Sequence, residues 1–128
     1  MEPTDFLSLE DLIEIAHGVL GVVEIRDVGL LDSAAARPRA SAFGEPAYPV
    51  FEEQAAALMH SLARNHPLVD GNKRLAWAAL RTFHLINGRD LVYEVDDAEQ
   101  FVLTVARGEL DVEGIAEWLR KHSAPSLG

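Results

Sequence analysis

The chain of 128 residues contains no cysteine, which excludes disulfide bonds and thiolate metal sites. It also has no apolar run approaching the roughly 18 residues that a membrane-spanning helix needs. The N-terminal stretch MEPTDFLSLEDL is acidic and lacks the basic start and apolar run of a signal peptide. Hydrophobic residues make up 48% of the chain, enough for the core of one domain. We therefore expect a single globular domain over residues 1–128, in the cytoplasm and away from membranes.

Positive charge is scarce as well. The 11 Lys and Arg residues face 21 Asp and Glu residues, which gives a net charge of −10. This balance argues against direct binding to a nucleic-acid backbone, which depends on many cations. It leaves room for one phosphorylated ligand, because Lys73, Arg74 and Arg81 lie close together in the sequence and can form a local positive site. The alternative is an ordinary helix surface of mixed charge.

The apolar spacing predicts a nearly all-α chain with roughly six helices. Most of the predicted ends carry a local signal, such as Ser8 before the first helix or a proline or glycine after a helix. The predicted helices are one after Ser8 that contains Leu12 to Val19, then Gly29 to Ala36, Phe51 to Asn65, Asn72 to about Asn87, Asp96 to about Arg107, and Asp111 through Leu119.

The segments between the helices carry weaker signals. Arg37 to Pro49 contains three prolines and Gly44, and is predicted to be a long loop or flap. Leu91 to Val95 is the only strand-like segment. Asp96 and Glu99 resemble a capping box that starts the following helix. The tail Ser123 to Gly128 is predicted to be frayed.

One run combines several chemically active groups: His66-Pro67-Leu68-Val69-Asp70-Gly71-Asn72-Lys73-Arg74. His66 can take a proton from a hydroxyl near neutral pH, and Pro67 favours an extended backbone at His66, just beyond the preceding helix. Asp70 is a hard oxygen ligand suited to Mg²⁺. Gly71 lets backbone amides approach a ligand closely.

The last three residues of the run open a helix. Free N–H groups in a first helical turn, together with the helix dipole, attract anions. Lys73 and Arg74 are unfavourable for that dipole on their own, which suggests that an anion binds there. The run therefore predicts a phosphate-binding site with a nearby base, although it lacks the P-loop pattern. Taken separately, a His–Asp pair in a loop is usually a structural hydrogen bond, and a Lys–Arg pair at a helix start is usually solvated; their convergence within nine residues favours the site.

The run HPLVDGNKR resembles the Fic/Doc motif, which in its Fic form reads HxFx(D/E)GNGRxxR. The sequence NKR is typical of the Doc branch, the death-on-curing toxins. The upstream stretch from Arg26 to Ala34, followed by Arg37 and Pro38, is similar to the segment before the active-site flap in Doc-type proteins. The resemblance implies the all-α Fic/Doc fold.

The resemblance also implies roles for the residues of the run. His66 matches the catalytic base, and Asp70 matches the acidic residue associated with Mg²⁺ and ATP. Gly71 and Asn72 match the anion-holding turn, while Lys73 and Arg74 match the phosphate-contacting cations. Leu68 replaces the usual phenylalanine as an apolar anchor.

Lys73 stands where the Fic form has a second glycine, and this difference bears on the reaction. Fic enzymes typically transfer AMP, whereas the Doc branch transfers the terminal phosphate of ATP to elongation factor Tu and stops translation. The resemblance therefore implies a toxin with protein kinase activity. The alternatives are an adenylyltransferase and a catalytically silent nucleotide-binding module.

The inhibitory motif (S/T)xxxE(G/N) found in many family members has no match in this sequence. We therefore expect inhibition in trans, which in Doc systems comes from a Phd-type antitoxin.

Other residues carry weaker signals, and two of them leave alternatives open. The segment Arg37 to Pro49 is either a flap that aligns a target or a plain connector, and Arg64 either approaches phosphate or lies at the surface. Trp77 and Arg81 share a helix face with Arg74; core packing is the preferred interpretation for Trp77, and we also expect Trp118 to pack in the core. The remaining histidines show no metal-ligand spacing and are expected to be structural or solvated: His17, His60, His84 and His122.

Overall fold

The computed structural model describes residues 3–126. Six α-helices dominate this part of the chain, which confirms the all-α prediction. Their bounds are α1 Leu9–Leu20, α2 Val28–Ala36, α3 Phe51–Asn65, α4 Asn72–Ile86, α5 Val95–Ala106 and α6 Val112–His122. A short 3-10 helix, Arg37–Arg39, follows α2.

Two helices begin where the local signals predicted. The Ser8 hydroxyl accepts a hydrogen bond from the Asp11 N–H, and the Asp11 carboxylate accepts one from the Ser8 N–H, so a capping box starts α1. The Asp111 carboxylate accepts from the Gly114 N–H at 2.8 Å and starts α6. In both helices the N-terminal start is set by a side chain that binds a group only three residues away, so both starts can be predicted from the sequence.

The predicted capping box of Asp96 and Glu99 is wrong. Helix α5 begins at Val95, and Glu94 is its N-cap without a side-chain hydrogen bond. The Ala98 N–H donates to the Glu94 carbonyl and closes the first turn. Asp96 therefore lies inside that turn, where its charge suits the positive end of the helix dipole.

Within residues 3–126, four short strands form two antiparallel pairs. Strands β1 Ser41–Ala42 and β2 Glu45–Pro46 make a small exposed hairpin within the predicted flap. Strand β3 Arg89–Leu91 pairs with β4 Ser123–Pro125. The predicted strand at Leu91 to Val95 is therefore displaced toward the N-terminus.

The predicted fraying of the tail is wrong for residues 123–126. Strand β4 pairs its backbone with β3, and the Ser126 N–H donates to the Gly88 carbonyl at 2.9 Å. The residues that pair with the tail lie more than 30 positions earlier in the sequence, so no local pattern predicts this pairing. The last two residues of the predicted tail lie outside the described residues.

Helix α3 is the central element of the fold and contacts α2, α4, α5 and α6. Its buried face combines small alanines with larger side chains, and these pack into one hydrophobic core together with the apolar faces of the other helices. Its C-terminal end and the N-terminal end of α4 meet at the loop that carries the conspicuous run. No helix in the described part of the chain is both long enough and apolar enough to cross a membrane.

Candidate active site

The backbone of His66 differs from the sequence prediction. His66 is the C-cap of α3 and adopts a left-handed conformation with φ 51° and ψ 60°, so the predicted extended conformation is wrong. The Arg26 Nε donates to the His66 carbonyl at 2.7 Å, and the Arg26 Nη2 donates to the Asn65 carbonyl at 2.9 Å. These bonds satisfy carbonyls at the helix end and stabilise a conformation that is uncommon for a residue other than glycine.

The loop after His66 is held from outside by the segment between α1 and α2. The Arg26 and Asp27 N–H groups donate to the Pro67 carbonyl at 2.8 and 3.0 Å. The Val69 N–H donates to the Glu24 carbonyl at 2.9 Å. This pairing works like a short strand contact and limits how far the loop can move.

The same loop is held from inside by Asn72. Its side-chain oxygen accepts from the Leu68 N–H, and its side-chain nitrogen donates to the Leu68 carbonyl, each at 2.9 Å. Leu68 is 1% exposed, which confirms its role as an apolar anchor. The Asn72 side chain thus clamps the loop, and its contribution to an anion site would come from its backbone N–H.

The N-terminal end of α4 is open toward ligands. Gly71 precedes it with φ 88°, and no side chain of residues 3–126 caps this end. A Cβ at Gly71 would lie 2.6 Å from a methyl carbon of Leu20, so both the backbone angle and the space favour glycine here. The Asp70 carboxylate accepts the Gly71 N–H at 2.9 Å and remains exposed.

A cavity of about 490 Å³ brings the predicted residues together. One wall is the run itself, and the other is the C-terminal part of α5. All six predicted site residues line it: His66, Asp70, Gly71, Asn72, Lys73 and Arg74. The opposite wall consists of Leu103, Ala106 and Arg107.

The side chains of Lys73, Arg74 and Arg81 differ in whether other groups of the protein already bind them. Lys73 is exposed and makes no ion pair or hydrogen bond through its side chain within the described part of the chain. The Arg74 Nη2 donates to the Val19 carbonyl at 2.5 Å, so part of its guanidinium is occupied by the end of α1. Arg81 pairs with Asp90 at 3.3 Å and does not line this cavity. The predicted positive site therefore contains Lys73 and Arg74 but not Arg81.

Arg64 has a structural role that the sequence left open. Its Nη1 donates to the Ala106 carbonyl at 2.6 Å, and its guanidinium lies against Gly108. Arg64 thus joins the end of α3 to the end of α5.

Arg107 is the charged residue lining this cavity that the sequence did not indicate. It is the C-cap of α5, lies 41 positions after His66 in the sequence, and has no local pattern that marks it. One indirect signal exists: the Fic motif ends in RxxR, and this chain has Trp77 at the position of the second arginine.

Trp77 is half-buried and packs edge-on against Tyr93 and Trp118, with ring centroids 5.0 and 6.3 Å apart. This confirms the preferred interpretation as core packing. Trp118 is itself stacked between Phe101 and His122, in agreement with its predicted place in the core. Trp77 also lines a second cavity of about 460 Å³, which shares Lys73 and Arg74 with the first.

The other histidines make structural contacts, as expected. His17 approaches the Gly21 carbonyl, and His122 stacks on Trp118. The His60 Nδ1 lies 3.0 Å from an Arg37 nitrogen, and burial, followed by the nearby charge of Arg37, lowers the pKa of His60. His84 is fully buried, and that burial lowers its pKa. In the described residues no three His, Asp or Glu side chains converge on a common point.

Comparisons with known proteins identify the family of this chain. The model of the Fic/DOC family matches residues 6–84, which include the loop and nearly all of α4. A curated protein named Toxin Doc, from Mycolicibacterium smegmatis, is 48% identical over 126 residues, covering 94% of this chain and 95% of its own length. The chain therefore belongs to the Fic/DOC family.

Proposed function

We propose that this chain is a Doc-type toxin that transfers the terminal phosphate of ATP to a hydroxyl group of a protein. The main support for this proposal is that one cavity is lined by a histidine, an exposed carboxylate, a lysine without an ion pair and the uncapped N-terminal end of α4. The name of the 48% identical relative, Toxin Doc, supports the toxin part of the proposal.

The residues of the cavity fit a nucleotide triphosphate with Mg²⁺. Magnesium is usually held by one or two carboxylates together with substrate phosphates, so Asp70 alone is an adequate protein ligand. Bound there, the ion would neutralise phosphate charge. The N–H groups of the first turn of α4 and the side chains of Lys73 and Arg74 would bind the phosphate oxygens.

In this proposal His66 accepts the proton of the attacking hydroxyl. His66 is exposed and lines the cavity, so a protein segment can reach it from solvent. The hydroxyl oxygen forms a bond to the terminal phosphorus, the bond from that phosphorus to the bridging oxygen breaks, and ADP leaves. The protein needs to supply position and charge neutralisation more than covalent chemistry.

Lys73 is the reason for preferring phosphate transfer over AMP transfer. A lysine occupies space and adds charge where the Fic form has glycine, so the phosphate nearest His66 is proposed to be the terminal one. The exposed, unpaired side chain of Lys73 at the cavity wall is consistent with that role.

The proposal extends to partners. Elongation factor Tu is the proposed target, and its modification would stop translation in the cytoplasm, where ATP is also present. A Phd-type antitoxin is the proposed inhibitor in trans.

Incubation with a cell lysate and either α- or γ-labelled ATP tests the reaction. We expect protein labelling from γ-labelled ATP only. His66→Ala should abolish it, whereas His17→Ala should not, because His17 is also exposed but lies outside the cavity. Label from the α position only would identify an adenylyltransferase, and no label from either would identify a silent binding module.

A further inference from the structure

The cavity has a cationic residue on each of its two walls. Lys73 and Arg74 belong to α4, and Arg107 faces them from the end of α5. Among the described residues, three cations and a single carboxylate, Asp70, thus line this cavity, in a chain whose net charge is −10. This local reversal of charge indicates an anionic ligand with groups on both sides.

Arg107 is the arginine whose guanidinium is free at this cavity. Other arginines near the site are engaged with backbone carbonyls: Arg26 with Asn65 and His66, Arg64 with Ala106, and Arg74 with Val19. Among residues 3–126, no ion pair or side-chain hydrogen bond involves Arg107, and the residue is exposed.

The backbone that presents Arg107 is firmly held. The Arg107 N–H donates to the Leu103 carbonyl, and the next residue, Gly108, ends the helix with φ 77°. Arg64 binds the Ala106 carbonyl and packs against Gly108. Because Arg64 lies two residues before His66 in the sequence, this contact couples the position of Arg107 to the loop that carries His66.

We propose that Arg107 is a phosphate-binding residue that grips the polyphosphate of the nucleotide from the side opposite α4. A guanidinium can donate two parallel hydrogen bonds to phosphate oxygens, which a lysine cannot do. The α4 wall offers one arginine, because Trp77 replaces the second arginine of the Fic motif. Arg107 supplies the second guanidinium from a different helix. The inference rests on the proposed use of this cavity for a nucleotide phosphate.

A simpler role for Arg107 makes a different prediction. A cation at a helix C-terminus stabilises the helix through its dipole, with no ligand involved. In that case Arg107→Ala would lower the stability of the protein slightly and leave anion affinity unchanged.

Equilibrium binding of Mg²⁺–ATP and of inorganic tripolyphosphate at constant ionic strength separates these roles. We expect Arg107→Ala to weaken the binding of both ligands about tenfold or more, the usual worth of a charge-assisted hydrogen-bond pair. Arg107→Lys should recover part of the affinity, because the charge remains and the fork is lost. Arg120→Ala is the matched control, since it removes an exposed arginine outside this cavity.

Wild-type affinity in Arg107→Ala for both ligands would overturn the proposal, as would failure of the unmodified protein to bind either of them. A loss confined to ATP would assign Arg107 to the nucleoside and not to phosphate, and would overturn it too. A different result would show that the proposed function fails while this inference holds: tripolyphosphate binding would depend on Arg107, but no phosphate would be transferred from γ-labelled ATP.

Discussion

Asn72 offers the sharpest test of how the loop after His66 is held in place. Asn72→Ala removes both hydrogen bonds between its side chain and the backbone of Leu68. The Leu68 N–H and carbonyl would then lose their partners at a residue that is 1% exposed. The α4 helix itself should remain, because alanine is the best helix former.

The expected cost follows from those two groups. A buried polar group left without a partner costs about 1–3 kcal/mol, so two such groups lower the free energy of unfolding by about 2–6 kcal/mol. That is a large part of the roughly 5–15 kcal/mol that stabilises a domain. For a chain of 128 residues, at about 4 °C per kcal/mol, it corresponds to a fall in melting temperature of roughly 8–24 °C.

Urea and thermal unfolding of Asn72→Ala measure this cost. Asn65→Ala is the matched control, because Asn65 is exposed and only its backbone carbonyl bonds Arg26, which alanine retains. The control should change stability by less than about 0.5 kcal/mol. A similarly small effect of Asn72→Ala would refute the idea that its side chain clamps the loop.

Two further predictions concern a buried histidine and a helix end. Burial lowers the pKa of His84, so the folded protein takes up a proton at this residue only at a lower pH than the unfolded chain, whose histidine has a pKa of about 6.5. We expect the free energy of unfolding to fall between about pH 7.5 and 5.5, with a smaller slope in His84→Gln, as measured by urea titration. Gly108→Ala should destabilise the protein by about 1 kcal/mol or more, because φ is 77° and the new Cβ would lie 2.8 Å from the Arg64 guanidinium carbon.

Both predictions have clear controls. Equal pH slopes for the unmodified protein and His84→Gln would contradict a neutral, buried His84. Gly18→Ala is the matched change for Gly108→Ala: Gly18 lies inside α1, and a Cβ there has nothing within 4 Å, so a neutral or stabilising effect is expected. Equal thermal stabilities of the two glycine variants would contradict the close approach of Arg64.

The sequence was informative wherever the determinant was local. Ser8 and Asp111 start their helices through side chains only three residues from the groups they bind, so the helix order was predictable. The chemical run was also recognisable, because its residues are consecutive and the cavity gathers them as a unit.

The capping box predicted at Asp96 failed for a local reason, since α5 begins one residue earlier. The other errors and omissions come from contact between distant segments. The left-handed backbone of His66 depends on Arg26, forty residues earlier. The pairing of β4 with β3 joins segments more than 30 residues apart. Arg107 reaches the cavity because α5 packs beside the loop, and nothing in its neighbourhood along the chain marks it.

The central claim is that His66 directs transfer of the terminal phosphate of ATP to a protein hydroxyl. Its most direct test is mass spectrometry of the protein that becomes modified when this chain and Mg²⁺–ATP are added to a cell lysate. Phosphate transfer predicts one added phosphoryl group on a hydroxyl side chain with the unmodified chain and none with His66→Ala. An added AMP group, or a modification that persists in His66→Ala, would contradict the claim.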